Sequence, residues 1–149
     1  LPLMEHSIVD PENIEFPALV IKRAACLAAA KNIFLCLETL LPAAQVNHLM
    51  KNIEMSNVKA VFDTGNRVVE TPNLFEEITT LGDNIGHVHL KDKDQFGNNV
   101  VLGTGLVDFS EVFKAFNKIK YNHSFNFETN RGDDPIQTAK SNLRLCENF

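Results

Sequence analysis

Hydrophobic positions along the chain fall into short apolar runs that alternate with segments of helical periodicity. The four clearest runs predict strands at residues 33–38, 58–63, 85–90 and 124–128. Between these runs and after the last one, apolar residues recur every three or four positions, which predicts amphipathic helices. Strands that alternate with helices indicate a parallel sheet with right-handed crossovers. The pattern therefore predicts an α/β fold made of consecutive (β/α) units.

Capping signals mark where several of the helices begin. Asp108 with Glu111 three residues later forms a capping-box pattern before one helix. Thr71 followed by Pro72 predicts the start of an earlier helix. Residues 64–66, by contrast, are expected to form only a turn.

The two terminal helices are expected to bury an apolar stripe each. The first covers residues 15–31 with an apolar face formed by Ala18, Leu19, Ile21, Ala25, Leu27 and Ala28. The last begins near residues 134–135 and is expected to direct inward the side chains of Ile136, Ala139, Leu143 and Cys146. Residues 1–11 show no clear pattern and are expected to form the end of a strand and a loop.

Each predicted strand carries a potential metal ligand at its carboxyl end. These residues are Glu38, Asp63, His89 and Glu128. The carboxyl ends of parallel strands meet at one edge of a sheet, where active sites of such folds lie. Polar groups at the tips of apolar strands are costly unless they are paired or bind a metal. Two glutamates, an aspartate and a histidine suit one divalent cation, with manganese, magnesium, cobalt and zinc all compatible.

Each of these residues also has a structural alternative. Glu38 can cap the helix that follows it, and Asp63 can form an Asx-turn. His89 can be an interior histidine with satisfied hydrogen bonds. Glu128 can pair with Arg131, although exposed ion pairs contribute little. The presence of a potential ligand at the end of four successive strands favours a metal site over a set of structural hydrogen bonds.

A glycine-rich stretch follows the third predicted strand and contains Gly103 and Gly105. Exposed amides of such a turn suit an anion, and closed barrels often bind phosphate near their last loops. Lys91 and Arg131 can add positive charge there. A plain loop without a ligand is the equally open alternative.

Charge and composition narrow the classes of function. The 149-residue chain has a net charge of −5 and shows no basic face for phosphates, so nucleic acid is not an expected partner. No apolar stretch approaches the roughly 20 residues that cross a bilayer, so a membrane is not expected either. The three widely spaced cysteines predict reduced core thiols in a cytoplasmic protein: Cys26, Cys36 and Cys146.

Taken together, these motifs resemble the xylose isomerase-like barrels, particularly their sugar-phosphate isomerase and epimerase group. The similarity is strongest to ketose-phosphate 3-epimerases such as L-ribulose-5-phosphate 3-epimerase. The order and spacing correspond to strands five to eight of that TIM barrel, which makes the chain resemble a half barrel. The matching segments are residues 37–38, 63–66, 87–92, 102–109 and 127–129.

The resemblance implies roles for individual residues. It implies one divalent metal held by Glu38, Asp63, His89 and Glu128, with the two glutamates also carrying protons in an enediolate mechanism. The predicted substrate-binding positions combine this resemblance with the anion-binding pattern described above, although the relatives place histidine where this chain has Asn66. These positions are His87, Asn66, Lys91, Gly103, Gly105 and Arg131.

The expected function is therefore metal-dependent epimerisation or isomerisation of a phosphorylated ketose, a small-molecule substrate. A complete barrel takes about 250 residues, so residues 1–149 are expected to form a single domain within a larger (β/α)8 barrel. Open sheet edges also favour a homodimer as an alternative. Another alternative is a non-catalytic half barrel that binds a metal or an anion. The acidic charge and few histidines disfavour a nuclease like endonuclease IV.

Overall fold

Alternation of strands and helices places five strands in one parallel sheet, in the order β1-β2-β3-β4-β7. The structure is a computed structural model that describes residues 2–3 and 13–149. A separate antiparallel pair, β5 and β6, forms a small hairpin beyond β4. The strands are β1 (Pro2–Leu3), β2 (Leu35–Thr39), β3 (Val58–Asp63), β4 (Ile85–Leu90), β5 (Asp92–Lys93), β6 (Asn99–Val100) and β7 (Phe125–Phe127).

The parallel sheet confirms the predicted α/β class, and β3 and β4 have the predicted bounds. The run predicted at 33–38 becomes a strand only at Leu35, and the last strand is shorter than predicted. Pro2–Leu3 adds a strand beside β2, while the rest of the predicted loop over residues 1–11 lies outside the described residues. The helices are α1 (Glu15–Ala29), α2 (Ala43–Ile53), α3 (Thr64–Val68), α4 (Leu74–Leu81), α5 (Phe109–Lys118) and α6 (Pro135–Cys146).

Two predicted features at helix starts are wrong. The expected turn after β3 is the short helix α3, because the Asp63 carboxylate accepts a hydrogen bond from the Asn66 backbone N–H at 2.7 Å and caps it. Thr71 does not cap α4, since Asn73 takes that place and accepts from the Glu76 N–H at 3.1 Å. The side chain of Thr71 accepts instead from the Asn73 backbone.

The predicted cap of α5 is confirmed. The Asp108 carboxylate accepts from the Glu111 N–H at 3.1 Å. Asp134 does the same at the start of α6, where Pro135 occupies the first turn. These caps fix the first residues of α5 and α6. They therefore also fix where the loops that precede these two helices end.

The core lies between the sheet and the helices packed on it. The first cluster joins β3 and β4 to α4 and α5, with Phe62, Ile78 and Val112 fully buried. The second joins β2 to α1 and α2 around Leu37 and Leu49. Each large apolar side chain buried in this way contributes about 1.5–3 kcal/mol. The two clusters hold the strands rigidly and so fix the positions of the residues at their carboxyl ends.

The predicted inward faces of the terminal helices are wrong in part. In α1, Ala18, Ile21 and Ala25 are buried as expected, whereas Leu19 and Leu27 are exposed. The reason is that α1 contacts its neighbours through one narrow face, at the edge of the described sheet.

Helix α6 departs further from prediction. Ile136, Ala139 and Leu143 are exposed, and Cys146 is only half-buried, while Asn142 is the buried residue. No element among residues 2–3 and 13–149 covers the apolar side of this helix. Apolar side chains are thus exposed at both ends of the sheet.

The cysteines do not lie in the core as predicted. Cys26 is exposed on α1, and Cys36 and Cys146 are half-buried. Among the described residues, no helix combines the length and the apolar character needed to cross a membrane.

Candidate metal centre

The four predicted metal ligands lie together at the carboxyl edge of the sheet. Asp63 is the last residue of β3, Glu38 and His89 are the last but one of β2 and β4, and Glu128 directly follows β7. The register places Asp63 opposite His89, and the Glu128 N–H donates to the carbonyl of Leu90 at 3.1 Å. Each of the four offers one ligand atom, and these atoms all lie within 4.8 Å of one another.

Distances around His89 show how closely the four side chains converge. Its Nδ1 atom lies 2.6 Å from Glu128 Oε2 and 3.7 Å from both Glu38 Oε1 and Asp63 Oδ2. This nitrogen is buried, yet it forms no hydrogen bond with any of these oxygens. Buried polar atoms without a partner are rare and call for an explanation.

A shared cation explains that arrangement. Bonds of about 2.0–2.2 Å to nitrogen and oxygen keep the ligands of one ion within about 4.4 Å of each other. The spread of 4.8 Å in the cluster is a few tenths of an ångström larger, which small side-chain rotations can remove. The donor set of three carboxylates and one imidazole also suits a hard or borderline divalent cation. The residues present therefore fit a divalent metal.

The capping roles considered for Asp63 and Glu38 as alternatives to metal binding have different outcomes. Asp63 caps α3 through Oδ1 but directs Oδ2 towards His89, so it has a capping role and a place in the cluster. Glu38 does not cap α2, because the Ala43 N–H donates to the Glu77 carboxylate at 3.1 Å. Glu38 Oε1 lies instead 3.5 Å from the amide nitrogen of Asn66.

Glu128 pairs with Lys91, not with Arg131 as the alternative proposed. The buried Lys91 Nζ lies 2.8 Å from Glu128 Oε1 and 3.4 Å from Asp63 Oδ2. Sequence reasoning had associated Lys91 with an anion loop and missed this contact. Residues 87, 89 and 91 alternate along β4 and its extension and so share a face, which indicates that Lys91 lies near the cluster but not which carboxylate it pairs with.

Burial and charge shift the pKa values in the cluster. Burial raises the pKa of Asp63, and the hydrogen bond from Asn66 and the charge of Lys91 only partly oppose this. Burial acts in the same sense on Glu128, but its hydrogen bond to Lys91, the Lys91 charge and His89 outweigh it and lower the pKa. Burial tends to lower the pKa of Lys91, but these carboxylates outweigh it and raise the pKa. The lysine is therefore a permanent cation.

His87 lies beside His89 on the same face of β4. Their rings meet edge to face with centroids 5.1 Å apart, and His87 Nδ1 lies 3.3 Å from the Ser124 hydroxyl. Burial and then the neighbouring His89 lower the pKa of His87, which favours its neutral form. His87 is thus placed to support the histidine of the cluster from one layer deeper.

The glycine-rich loop has a different role from the one predicted. Asp92 is fully buried, and its Oδ2 accepts the N–H groups of Gly103 at 3.0 Å and Gly105 at 2.8 Å. Its Oδ1 accepts the N–H groups of Lys93 at 2.9 Å and Val107 at 3.1 Å. The two glycine amides expected to bind an anion are therefore used within the fold.

Arg131 is exposed and takes no part in the hydrogen bonds around Asp92. It lines a cleft between β7 and α6 together with Thr129 and Asn142, whose side chains are hydrogen-bonded to each other at 3.1 Å. Of the six predicted substrate-binding residues, the structure thus places Asn66, His87 and Lys91 at the cluster. Gly103 and Gly105 belong to the loop anchored by Asp92.

A parallel (β/α) sheet with a group of potential metal ligands at its carboxyl edge is the arrangement that (β/α) barrels use for their active sites. Comparison with known families agrees, because the family described as xylose isomerase-like TIM barrel matches residues 6–149. The chain belongs to this family.

Two curated relatives are sugar epimerases by name. A D-psicose 3-epimerase of Enterocloster bolteae is 33% identical over 69 residues, which are 46% of this chain and 22% of that protein. A Haemophilus influenzae protein named "Putative L-ribulose-5-phosphate 3-epimerase SgbU" is 34% identical over 84 residues, 50% of this chain and 29% of that protein. The aligned segments are thus less than a third of these relatives.

Solved structures share the fold. A D-psicose 3-epimerase from Clostridium cellulolyticum H10, crystallised with D-tagatose, superposes with a TM-score of 0.80 at 21% identity. The alignment covers 96% of this chain and 59% of that one. The IOLI protein with a bound zinc atom has a TM-score of 0.80 at 18% identity, covering 97% and 60%. This chain therefore spans about 60% of the length of these two neighbours.

Proposed function

We propose that this chain carries the metal centre of a sugar epimerase or isomerase that acts on a phosphorylated ketose by proton transfer between two glutamates. The observation that carries the proposal is the convergence of Glu38, Asp63, His89 and Glu128 within 4.8 Å, around a buried imidazole nitrogen that lacks a hydrogen bond. Membership of a family whose relatives are named as sugar epimerases supports the same class of reaction.

The four residues would hold one divalent metal, for which manganese, magnesium, cobalt and zinc are candidates. When bound, such an ion supplies Lewis acidity that makes the proton beside a ketone carbonyl easier to remove. The bound zinc of one solved neighbour supports a metal in this family and leaves its identity in this chain to experiment.

Exposure divides the three carboxylates into two roles. The side chain of Asp63 is 3% exposed, whereas those of Glu38 and Glu128 are 20% and 47% exposed. Of the three carboxylates, only those of the two glutamates are exposed enough to reach a substrate above the cluster. They extend from β2 and from the end of β7, with β3 and β4 between them. We assign proton removal to one and proton return on the opposite face to the other, which inverts the carbon, and metal ligation alone to Asp63 and His89.

Substrate contacts are proposed for the polar groups around the cluster. Asn66 and His87 lie beside Glu38 and His89 and can hydrogen-bond sugar hydroxyls. Arg131 is the candidate for a substrate phosphate, because the Gly103 and Gly105 amides are bound by a carboxylate. The name of the Haemophilus relative supports a sugar phosphate, while that of the Enterocloster relative supports a free ketose.

We further propose that residues 1–149 form the carboxyl-terminal half of a (β/α)8 barrel. The partial coverage of solved barrels and the exposed apolar residues Phe16, Leu27, Ile136 and Leu143 at the two ends of the sheet support this. The remaining (β/α) units of a longer chain would cover these residues, and a second copy is the alternative. A cytoplasmic location, inferred from the cysteine content, belongs to the same proposal.

A non-catalytic metal-binding or anion-binding module is the second candidate. The observation in its favour is that Lys91 already pairs with Asp63 and Glu128. A module of this kind binds a metal or an anion without accelerating proton exchange, which distinguishes it from an enzyme.

The test uses the full-length protein and follows exchange of the ketose C3 proton with solvent deuterium by NMR. Glu38→Gln and Glu128→Gln are each expected to lower exchange by about 10²–10⁴-fold, the usual contribution of a positioned acid or base. Glu70→Gln is the matched control, because Glu70 is an exposed glutamate that does not belong to the cluster. Exchange at the wild-type rate in both variants would exclude the two-glutamate mechanism.

The substrate class is tested with the same assay. Ribulose 5-phosphate and free psicose are compared as substrates of the wild-type protein and of Arg131→Met. If Arg131 binds phosphate, the variant raises KM for the phosphorylated ketose and leaves KM for the free ketose unchanged. Equal KM changes for both substrates would contradict a phosphate site at Arg131.

A further inference from the structure

Lys91 is a buried cation placed among metal ligands, which is an unusual position for a lysine. Its side chain is 9% exposed, and its ammonium contacts the carboxylates of Asp63 and Glu128. Fully or nearly buried lysines are rare unless they are paired. A positive charge beside a site suited to a divalent cation also repels that cation. The position therefore needs a reason that packing alone does not supply.

The surrounding backbone is built to hold this lysine. The Thr64 hydroxyl accepts from the Lys91 N–H at 3.0 Å and donates to the Lys91 carbonyl at 2.6 Å. The lysine stem passes over Gly65, where a Cβ atom would lie 2.7 Å from Lys91 Cγ. Any side chain at residue 65 would therefore collide with the stem. Threonine and glycine in succession at the start of α3 fix the path of the lysine into the cluster.

The negative charge of the cluster explains the role of the Lys91 ammonium there. Glu38, Asp63 and Glu128 bring three negative charges within a few ångströms of one another. Like charges at such distances repel strongly in a partly buried site. A divalent cation alone would leave one of the three charges unbalanced, and a divalent cation together with Lys91 balances all three.

We propose that Lys91 is a built-in counter-cation of the metal centre. It keeps Asp63 and Glu128 assembled when the protein is free of metal, and it balances the third carboxylate when a metal is bound. This inference rests on the proposed metal centre. It makes Lys91 a positioning residue, since it acts through Asp63 and Glu128.

The proposal predicts opposite changes in two properties. Without the charge of Lys91, the metal-free protein loses stability because three carboxylates repel one another. The same change strengthens metal binding, because the ammonium no longer competes for Glu128 Oε1 and Asp63 Oδ2 or repels the metal. A lysine with a merely structural role would misplace the ligands when removed, and stability and metal affinity would then fall together.

The experiment titrates Mn²⁺ into the metal-stripped full-length protein by calorimetry and measures urea unfolding with and without Mn²⁺. The variants are Lys91→Met and Lys91→Gln, which keeps a polar amide in place of the charge. Lys59→Met is the control, because the Lys59 ammonium donates to the Asp83 carbonyl at 2.8 Å, beside the amino end of β4. The expected result is a Kd for Mn²⁺ about tenfold lower in both Lys91 variants, with a lower urea midpoint for their metal-free forms and an unchanged Kd for Lys59→Met.

Equal or weaker Mn²⁺ binding by Lys91→Gln would overturn the counter-cation role. If neither variant folds without metal, recovery of the fold on refolding with Mn²⁺ supports the proposal, and failure to recover it contradicts the proposal. Failure of the metal centre itself gives a different result, namely a wild-type protein that binds no Mn²⁺. The two inferences can thus fail separately.

Discussion

Replacement of Asp92 by asparagine is the most informative stability test of the loop beside the metal centre. Each oxygen of the buried carboxylate accepts two backbone N–H groups, those of Gly103 and Gly105 at Oδ2 and those of Lys93 and Val107 at Oδ1. Asparagine keeps one of these oxygens and turns an NH₂ group towards the other two donors. Two hydrogen bonds are therefore lost, and the two backbone N–H groups that made them face the NH₂ group of the asparagine, which is also a donor.

The magnitude follows from those two bonds. Hydrogen bonds to a charged group contribute about 1.5–3 kcal/mol each, and the bonds from Gly103 and Gly105 are partly buried whereas the bond from Val107 is buried. Asp92→Asn is therefore expected to lower the free energy of unfolding by about 3 kcal/mol. With a urea dependence of about 2 kcal/mol per molar, the unfolding midpoint falls by about 1.5 M.

The assay is urea unfolding followed by far-ultraviolet circular dichroism. Asp94→Asn is the control, because Asp94 also accepts backbone N–H groups, from Phe96 and Asn98, but these hydrogen bonds are exposed to solvent. Its midpoint is expected to change far less. A midpoint for Asp92→Asn within error of the wild type would refute the account of the loop, and would return the Gly103 and Gly105 amides to the list of possible anion ligands.

Two further predictions concern buried polar groups away from the cluster. Arg67→Met is expected to lower the free energy of unfolding, measured by urea unfolding, by about 3 kcal/mol, because the partly buried Glu77 carboxylate loses its ion pair and the Leu40 carbonyl loses its side-chain donor. The double variant with Glu77→Leu should recover part of the loss, and no recovery would contradict this explanation. Burial, and then the neighbouring Cys36, raise the pKa of Tyr121 to about 12, whereas an unfolded tyrosine ionises near pH 10. Its stabilising effect is therefore complete below about pH 10 and is lost as pH rises to about 12. The tyrosinate absorbance difference between wild type and Tyr121→Phe measures this, and titration near pH 10 in the folded protein would contradict it.

The candidate ligands could be predicted from sequence because strand geometry is simple. Side chains alternate along a strand, and the carboxyl ends of parallel strands share an edge. A ligand-type residue at each tip is therefore enough to predict that Glu38, Asp63, His89 and Glu128 lie close together. Neither the alternation along a strand nor the shared edge of the sheet depends on the details of packing. For this reason four residues far apart in sequence could be predicted to lie at one point.

The ion pairs within the site could not be predicted in the same way. Glu128 had Arg131 three residues away as an obvious partner, but its actual partner is Lys91, directly after the neighbouring strand β4. The choice depends on the path of the lysine stem over Gly65, which only the packed structure gives. The loop glycines were misjudged for a similar reason, because a single buried carboxylate, Asp92, takes both amides.

The terminal helices show where periodicity fails as a guide to burial. The apolar residues of α1 and α6 recur at helical spacing, but periodicity does not tell whether a second surface is present to cover them. In this chain the described elements cover one narrow face of each helix, so Leu27, Ile136 and Leu143 remain exposed. The pattern is correct for a helix with neighbours on two sides, as in a closed barrel.

The most direct test of the central claim is anomalous diffraction from crystals of the full-length protein soaked in Mn²⁺ or Zn²⁺. The account predicts one anomalous peak within about 2.0–2.3 Å of ligand atoms from Glu38, Asp63, His89 and Glu128. A metal bound elsewhere, or these four side chains without a peak between them at saturating metal, would contradict it.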